Sequence, residues 1–159
     1  MKTKAPIILL LLALAVGGWY FYSLKNTAIT LPSNSMTPTI PMGKTVNVDR
    51  LAYSSATPNR FDIVVFTPPD SKDIFYVSRV IGLPGDRIEL SRKGLSINGT
   101  ILTETAGVDY KKFSQDIRPR LTDNEYYVIG DFFDNSNDSR SFGPITIENI
   151  QAKVNLDKK

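Results

Sequence analysis

The chain has 159 residues, which is enough for one domain of ordinary size with a membrane anchor and too few for two large lobes. With 42% hydrophobic and 22% charged residues it can bury a core, so wholesale disorder is excluded. It contains no cysteine and no histidine, which excludes disulfides, thiol nucleophiles, Cys/His zinc sites and an imidazole base; we expect neither a cofactor nor a metal site. The net charge of +3 comes from lysines around the N-terminal apolar run, and the balanced remainder indicates no nucleic-acid partner.

An apolar run without a charge extends from Ala5 to Leu24. Its twenty residues match the length of a helix that crosses the hydrocarbon core of a bilayer. A cleaved secretory signal is the alternative, because Ala13 and Ala15 have the spacing of a cleavage site. The apolar character continues past them into the aromatic cluster 19–22, which suits a membrane interface, so an anchor is the better interpretation.

The lysines around this run predict its orientation. Lys2 and Lys4 precede it, and Lys25 alone follows it closely. The excess of positive charge on the N-terminal side places the N-terminus in the cytoplasm. We therefore predict a cytoplasmic tip and transmembrane anchor over residues 1–25 and an extracytoplasmic β domain over residues 26–159.

The remainder of the chain is typical of an all-β protein with antiparallel pairing. Short apolar stretches alternate with turn residues, and Asn98-Gly99 is a strong hairpin signal. Residues 91–121 are predicted to form a reduced surface excursion, because the stretch 103–121 is polar and has little periodicity. The predicted strands are Thr45–Val48, Phe61–Thr67, Ile74–Ile81, Arg87–Leu90, Leu95–Asn98 and Tyr126–Ile129.

Three segments have a residue composition that a purely structural β domain does not need. Residues 31–39 place two serines between prolines, residues 76–86 run from a strand into a tight turn, and residues 130–144 are rich in Asp, Asn and Ser. In this order, behind an anchor, they resemble the signal peptidase I family of membrane-bound serine proteases. The matching motifs are Ser33-x-Ser35-Met36-x-Pro38-Thr39, Arg79-Val80-Ile81-Gly82-Leu83-Pro84-Gly85-Asp86, and Gly130-Asp131 with Asn135-Ser136-x-Asp138-Ser139-Arg140-x-Phe142-Gly143.

The resemblance implies a role for each matching residue. Ser35 would be the nucleophile, and its own N–H with the Ser33 hydroxyl would form the oxyanion hole. Ser136 would lie near the general base, while Asp138 and Arg140 would form an ion pair that supports the polar loop.

The resemblance also implies an activity and a place. The chain would be a serine endopeptidase that removes signal sequences from membrane-bound precursors with small residues before the cut. It would be a single-pass protein of the bacterial cell membrane, with lipid as a second partner. The nucleophile reaches at most roughly 36–40 Å beyond the anchor, since Ser35 follows Leu24 by eleven positions.

One position departs from the family. Bacterial members have a lysine before the arginine of the second motif as the general base, and this chain has Ser78 there. A serine hydroxyl has almost no basicity near neutral pH. The remaining candidates for the base are Lys72, Lys93, Lys111 and Lys112, each of which we expect to be solvated.

The substitution at residue 78 supports an alternative function. A catalytically inactive homologue would bind extended precursor or pilin segments as an assembly factor. Because Ser33, Ser35 and the polar loop are all present, the peptidase is the leading hypothesis.

Overall fold

The computed structural model describes residues 4–71, 73–92, 94–102 and 116–156. Helix α1 spans Lys4–Lys25, and its segment Pro6–Lys25 is long and apolar enough to cross a membrane, with a mean hydropathy of 2.1. Its large side chains, such as Leu9 and Trp19, face away from the rest of the protein and are exposed. An all-apolar surface of this kind is suited to lipid.

The described residues after α1 form two antiparallel sheets. Their strands are β1 Thr27–Thr30, β2 Thr45–Asp49, β3 Ile63–Phe66, β4 Tyr76–Gly82, β5 Ile88–Ser91, β6 Gly94–Ile97, β7 Thr100–Ile101, β8 Glu125–Ile129, β9 Ile145–Thr146 and β10 Ile150–Asn155; the short helix α2 is Ser139–Phe142, and 3-10 turns span Phe133–Asn135 and Ile147–Asn149. The larger sheet has seven strands in the order β1-β2-β10-β3-β4-β8-β9, and the smaller one has the order β5-β6-β7. The predicted all-β fold with one N-terminal helix is confirmed.

The hairpin signal is confirmed at Asn98-Gly99. Both residues have positive φ, 52° and 83°, and strands β6 and β7 pair across them, with Ile97 opposite Thr100. Left-handed backbone at both central positions matches the twist of the flanking strands, and asparagine followed by glycine adopts it at low cost.

Strand β3 shows how the larger sheet is buried on both faces. Ile63 and Val65 pack in one cluster with Leu31, Met36 and residues of β2 and β10. Val64 and Phe66 face a second cluster with residues of β4, β8 and β9. A continuous apolar run is therefore required here instead of an alternating one.

Residues 91–121 differ from the expected surface excursion where the structure describes them. Leu95, Ile97 and Leu121 are buried in a third cluster with Ile88, Leu90 and Tyr127. The alternating pattern of β6 buries one side of the small sheet against the end of the larger one. Residues 103–115 lie outside the described residues.

Candidate active site

The loop that carries the two serines is fixed at both ends by buried side chains. Leu31 precedes the serines and Met36 follows them, and both are almost fully buried in the cluster around β2 and β3. Ile40 is buried beside them and donates its N–H to the carbonyl of Met36 at 2.8 Å. Because both flanks are packed, residues 32–35 are held against the surface without being buried themselves.

Ser33 and Ser35 lie side by side. Their Oγ atoms are 3.2 Å apart, and Ser35 Oγ also donates to the carbonyl of Val77 on β4 at 3.4 Å. Ser35 is partly exposed, and no described residue accepts a hydrogen bond from its N–H. The Ser35 N–H and the Ser33 hydroxyl are thus two donors available next to the Ser35 oxygen.

A polar cavity of about 450 Å³ opens at these serines. Its other wall is the loop after β8, which contributes Asp134, Asn135 and Ser136. The two loops are joined directly, because Asn135 donates its side-chain amide to the side chain of Asn34 at 2.6 Å. The predicted nucleophile and the predicted polar loop therefore share one cavity, although about a hundred residues separate them.

Asp138 and Arg140 form an ion pair inside the polar loop. Arg140 Nε lies 2.7 Å from Asp138 Oδ1, and the pair is nearly buried. Asp138 also accepts the N–H of Gly130 at 2.9 Å and that of Arg140 at 3.1 Å, which caps helix α2. Arg140 in turn stacks over the ring of Phe133 at 3.6 Å. The loop is thus held by charge, capping and stacking.

A second network joins the serine loop to β4, and the sequence interpretation assigned it no role. Arg79 donates to both carboxylate oxygens of Asp131, at 2.9 and 2.6 Å. The same carboxylate accepts the hydroxyl of Thr39, at the end of the serine loop. Arg79 and Asp131 both lie in the quoted motifs, so their opposite charges could have indicated this ion pair from the sequence. A bidentate pair of this kind fixes both geometry and register.

Ser78 is buried on β4, with 1% of its surface exposed. Within the described ranges its Oγ has no hydrogen-bond partner, and the buried Oγ of Ser136 has none either. Neither is a proton acceptor of useful strength for Ser35. The other predicted candidates for the base, Lys72, Lys93, Lys111 and Lys112, lie outside the described residues.

An apolar groove of about 640 Å³ adjoins the polar cavity at Val77, which lines both. One wall is the chain from β1 to the serines, including Ile29 and Leu31, and the opposite wall includes Phe75. The groove reaches Leu24 at the end of helix α1. An extended chain lying in it would therefore run from the end of the helix to Ser35.

Paired serines that open on a polar cavity, with an apolar groove beside them on an antiparallel β scaffold, have the arrangement of a serine peptidase. A family model described as "Signal peptidase, peptidase S26" matches residues 2–157, and the chain belongs to this family.

Individual relatives agree with this assignment. The chain is 37% identical over 135 residues to "Signal peptidase I" of Bacillus caldolyticus, covering 77% of this chain and 73% of the relative. It is 32% identical over 132 residues to "Probable signal peptidase I-2" of Synechocystis sp., covering 78% of this chain but only 59% of that longer protein. A crystal structure of a signal peptidase I from Enterococcus faecalis V583 superposes with a TM-score of 0.54 at 28% identity, covering 63% of this chain and 98% of the other.

Proposed function

We propose that this chain is a membrane-anchored serine endopeptidase that removes signal sequences from exported precursor proteins. The observation that carries the proposal is the position of Ser35, between two hydroxyl- and amide-lined walls and at the end of an apolar groove. Family membership favours this activity over an inactive assembly factor.

Ser35 Oγ attacks the scissile carbonyl, and the Ser35 N–H and the Ser33 hydroxyl stabilise the oxyanion. These donors lie on a loop whose flanks are packed, so they need little reorganisation when charge develops. Ser136 lines the wall of the cavity, and the Asp138–Arg140 pair keeps that wall in place.

The apolar groove is the proposed binding site for the segment before the cut. Its walls are mostly apolar and lie close to the backbone of β4, where Val77 approaches Ser35. Such a groove favours an extended segment whose main chain follows a strand and whose side chains near the cut are small, typically alanine.

The groove also indicates where cleavage takes place. Arg50 lines it and donates its backbone N–H to the carbonyl of Leu24 at 3.0 Å, so the groove begins where helix α1 ends. We propose that α1 is a single-pass anchor of a bacterial cell membrane with its N-terminus in the cytoplasm and the β domain outside. Anchoring enzyme and precursor in one plane raises their effective concentration.

The test is cleavage of a precursor peptide with alanines at the first and third positions before the cut, by the full chain in detergent micelles. Mass spectrometry should find one cut after the second alanine, which is lost in Ser35→Ala. Ser33→Ala should slow it by about 10²–10³-fold, as expected for one oxyanion donor. Equal cleavage by the wild type and Ser35→Ala would contradict the role of Ser35.

A further inference from the structure

Arg50 is a charged residue on an otherwise uncharged groove. It lines the apolar groove at the end where helix α1 stops, and among the described residues that line this groove it alone carries a charge. Arg50 is exposed, and within the described part of the chain its guanidinium has no hydrogen-bond acceptor and no ion-pair partner. The five N–H donors of this side chain are therefore available to a ligand that enters the groove.

Helix α1 does not use the Arg50 guanidinium, because other groups satisfy its last carbonyls. The Tyr22 carbonyl accepts the backbone N–H and the side-chain amide of Asn26, each at 3.1 Å. The Leu24 carbonyl accepts the backbone N–H of Arg50, and the hydroxyl of Thr27 donates to the carbonyl between these two at 3.0 Å. The end of α1 is thus capped by main-chain and uncharged groups, which leaves the guanidinium unused.

The register of the first two strands places Arg50 at the start of the path to the nucleophile. Thr27 pairs with Val48, so Arg50 lies two positions further along, level with the last residue of α1. From that level to Leu31 the wall of the groove advances by about six residues, or roughly 20 Å at 3.3 Å per residue. The groove therefore joins Arg50 to the serine loop over the length of one short extended segment.

The precursor that the proposed function assigns to this groove brings acceptors of the matching kind. Its apolar stretch crosses the membrane as a helix, since a helix satisfies its own backbone groups in lipid. The last carbonyls of that helix have no partner within it and carry a partial negative charge. Because enzyme and precursor are anchored in one plane, the end of the precursor helix comes level with the end of α1, where Arg50 lies.

We propose that Arg50 is a specificity-determining residue that binds the carbonyl end of the precursor's apolar helix. The inference rests on the proposed peptidase function, which supplies the occupant of the groove. The planar guanidinium donates to two carbonyls at once and fixes where the helix ends. The extended residues that follow then bring the bond to be cut to Ser35. A precursor whose helix ends too near the cut, or too far from it, loses its contact with one of these two residues.

The first experiment measures binding by the full-length Ser35→Ala variant, which lacks the proposed nucleophile, in micelles of a neutral detergent. The ligands are a fluorescent precursor that includes its apolar helix and a short peptide that holds only the residues around the cut. Arg50→Gln should raise the Kd of the precursor by about 5–10-fold, since a charged group at a helix end is lost, and leave that of the short peptide unchanged. The backbone N–H that caps α1 remains in this variant.

Lys44→Gln is the matched control for the loss of one positive charge. Lys44 is exposed, lies just before the other end of β2 and does not line the groove. Its replacement should change the Kd of neither ligand. Arg50→Lys, which keeps the charge but not the planar fork, should restore only part of the affinity for the precursor.

The spacing between helix and cut tests positioning directly. Two residues inserted there should weaken binding of the precursor, and Arg50→Gln should reduce that difference. If Arg50→Gln weakens both ligands equally, or weakens neither, the proposal is overturned. An effect of Arg50→Gln that appears only after phosphatidylglycerol is added to the micelles would assign the guanidinium to a lipid headgroup and would also overturn it.

Cleavage by the protein with Ser35 intact distinguishes failure of this inference from failure of the proposed function. Arg50→Gln should raise KM for the precursor and leave kcat unchanged, because the contact is the same in the ground state and the transition state. If cleavage depends on Ser35 but KM does not depend on Arg50, the inference is wrong and the peptidase assignment stands. If the precursor binds through Arg50 and no cleavage depends on Ser35, the peptidase proposal fails and the binding role of Arg50 stands.

Discussion

Replacement of Asp138 by alanine should destabilise the protein far more than its single position in a loop implies. The carboxylate is fully buried, and Arg140, its partner, has only 13% of its side chain exposed. The change leaves a nearly buried guanidinium without its counter-charge and the N–H of Gly130 without its acceptor. Breaking a buried pair from one side costs about 3–5 kcal/mol. At about 2–4 °C per kcal/mol for a chain of this size, the melting temperature should fall by roughly 6–20 °C.

Urea unfolding of the full chain in mild detergent, followed by circular dichroism, measures the free energy, and a thermal scan of the same sample measures the melting temperature. Asp116→Ala is the matched control, because Asp116 pairs with Arg118 at the same two-residue spacing but both side chains are more than half exposed. That pair should contribute no more than about 1 kcal/mol. The double variant Asp138→Ala/Arg140→Met should recover part of the loss, since it removes the uncompensated charge. A cost for Asp138→Ala within 1 kcal/mol of the control would refute the reasoning.

Two further predictions concern acid stability and buried hydroxyls. Burial raises the pKa of Asp86, but hydrogen bonds, chiefly from Arg60, outweigh it and hold that pKa below its usual value. Stability from this carboxylate is therefore present above the unfolded pKa of about 3.9 and is lost as the pH falls through the folded value, so Asp86→Asn should flatten the dependence of the urea midpoint on pH below about 4. Tyr127 Oη is buried without a described partner, whereas Tyr53 Oη donates to Asp62 at 3.0 Å. Tyr127→Phe should leave the unfolding free energy unchanged or higher, and Tyr53→Phe should lower it by about 1.5 kcal/mol; the opposite order would contradict these hydrogen-bond assignments.

The strands that the sequence predicts correctly are those whose pattern lies within a few neighbouring residues. The continuous apolar run of β3 and the Asn98-Gly99 turn each depend on neighbouring residues alone. Strand β10 was not predicted, although Ile150, Ala152 and Val154 alternate with polar residues. Its apolar positions include a small alanine, and its place between β2 and β3 depends on pairing with distant parts of the chain.

The candidate site shows the same division. Motif matching brought forward Ser33, Ser35 and the polar loop, because each lies in a short segment of unusual composition. The Arg79–Asp131 pair received no role, since it joins two motifs whose relation depends on how β4 pairs with β8. Gly130 is a further case, because its close contact with Ser136 Oγ appears only when the chain folds back after β8.

Two ion pairs beside the proposed site bear on what the serine at residue 78 changes. The Arg79–Asp131 and Asp138–Arg140 pairs hold the two loops of the proposed site, and removing one partner of either pair leaves a charge that is costly to desolvate. The first pair fixes the loop that carries the proposed oxyanion donors, and the second fixes the loop that forms the cavity wall. We therefore expect the site to keep part of its transition-state stabilisation even without a lysine at residue 78, since an oxyanion hole and substrate binding act without the base.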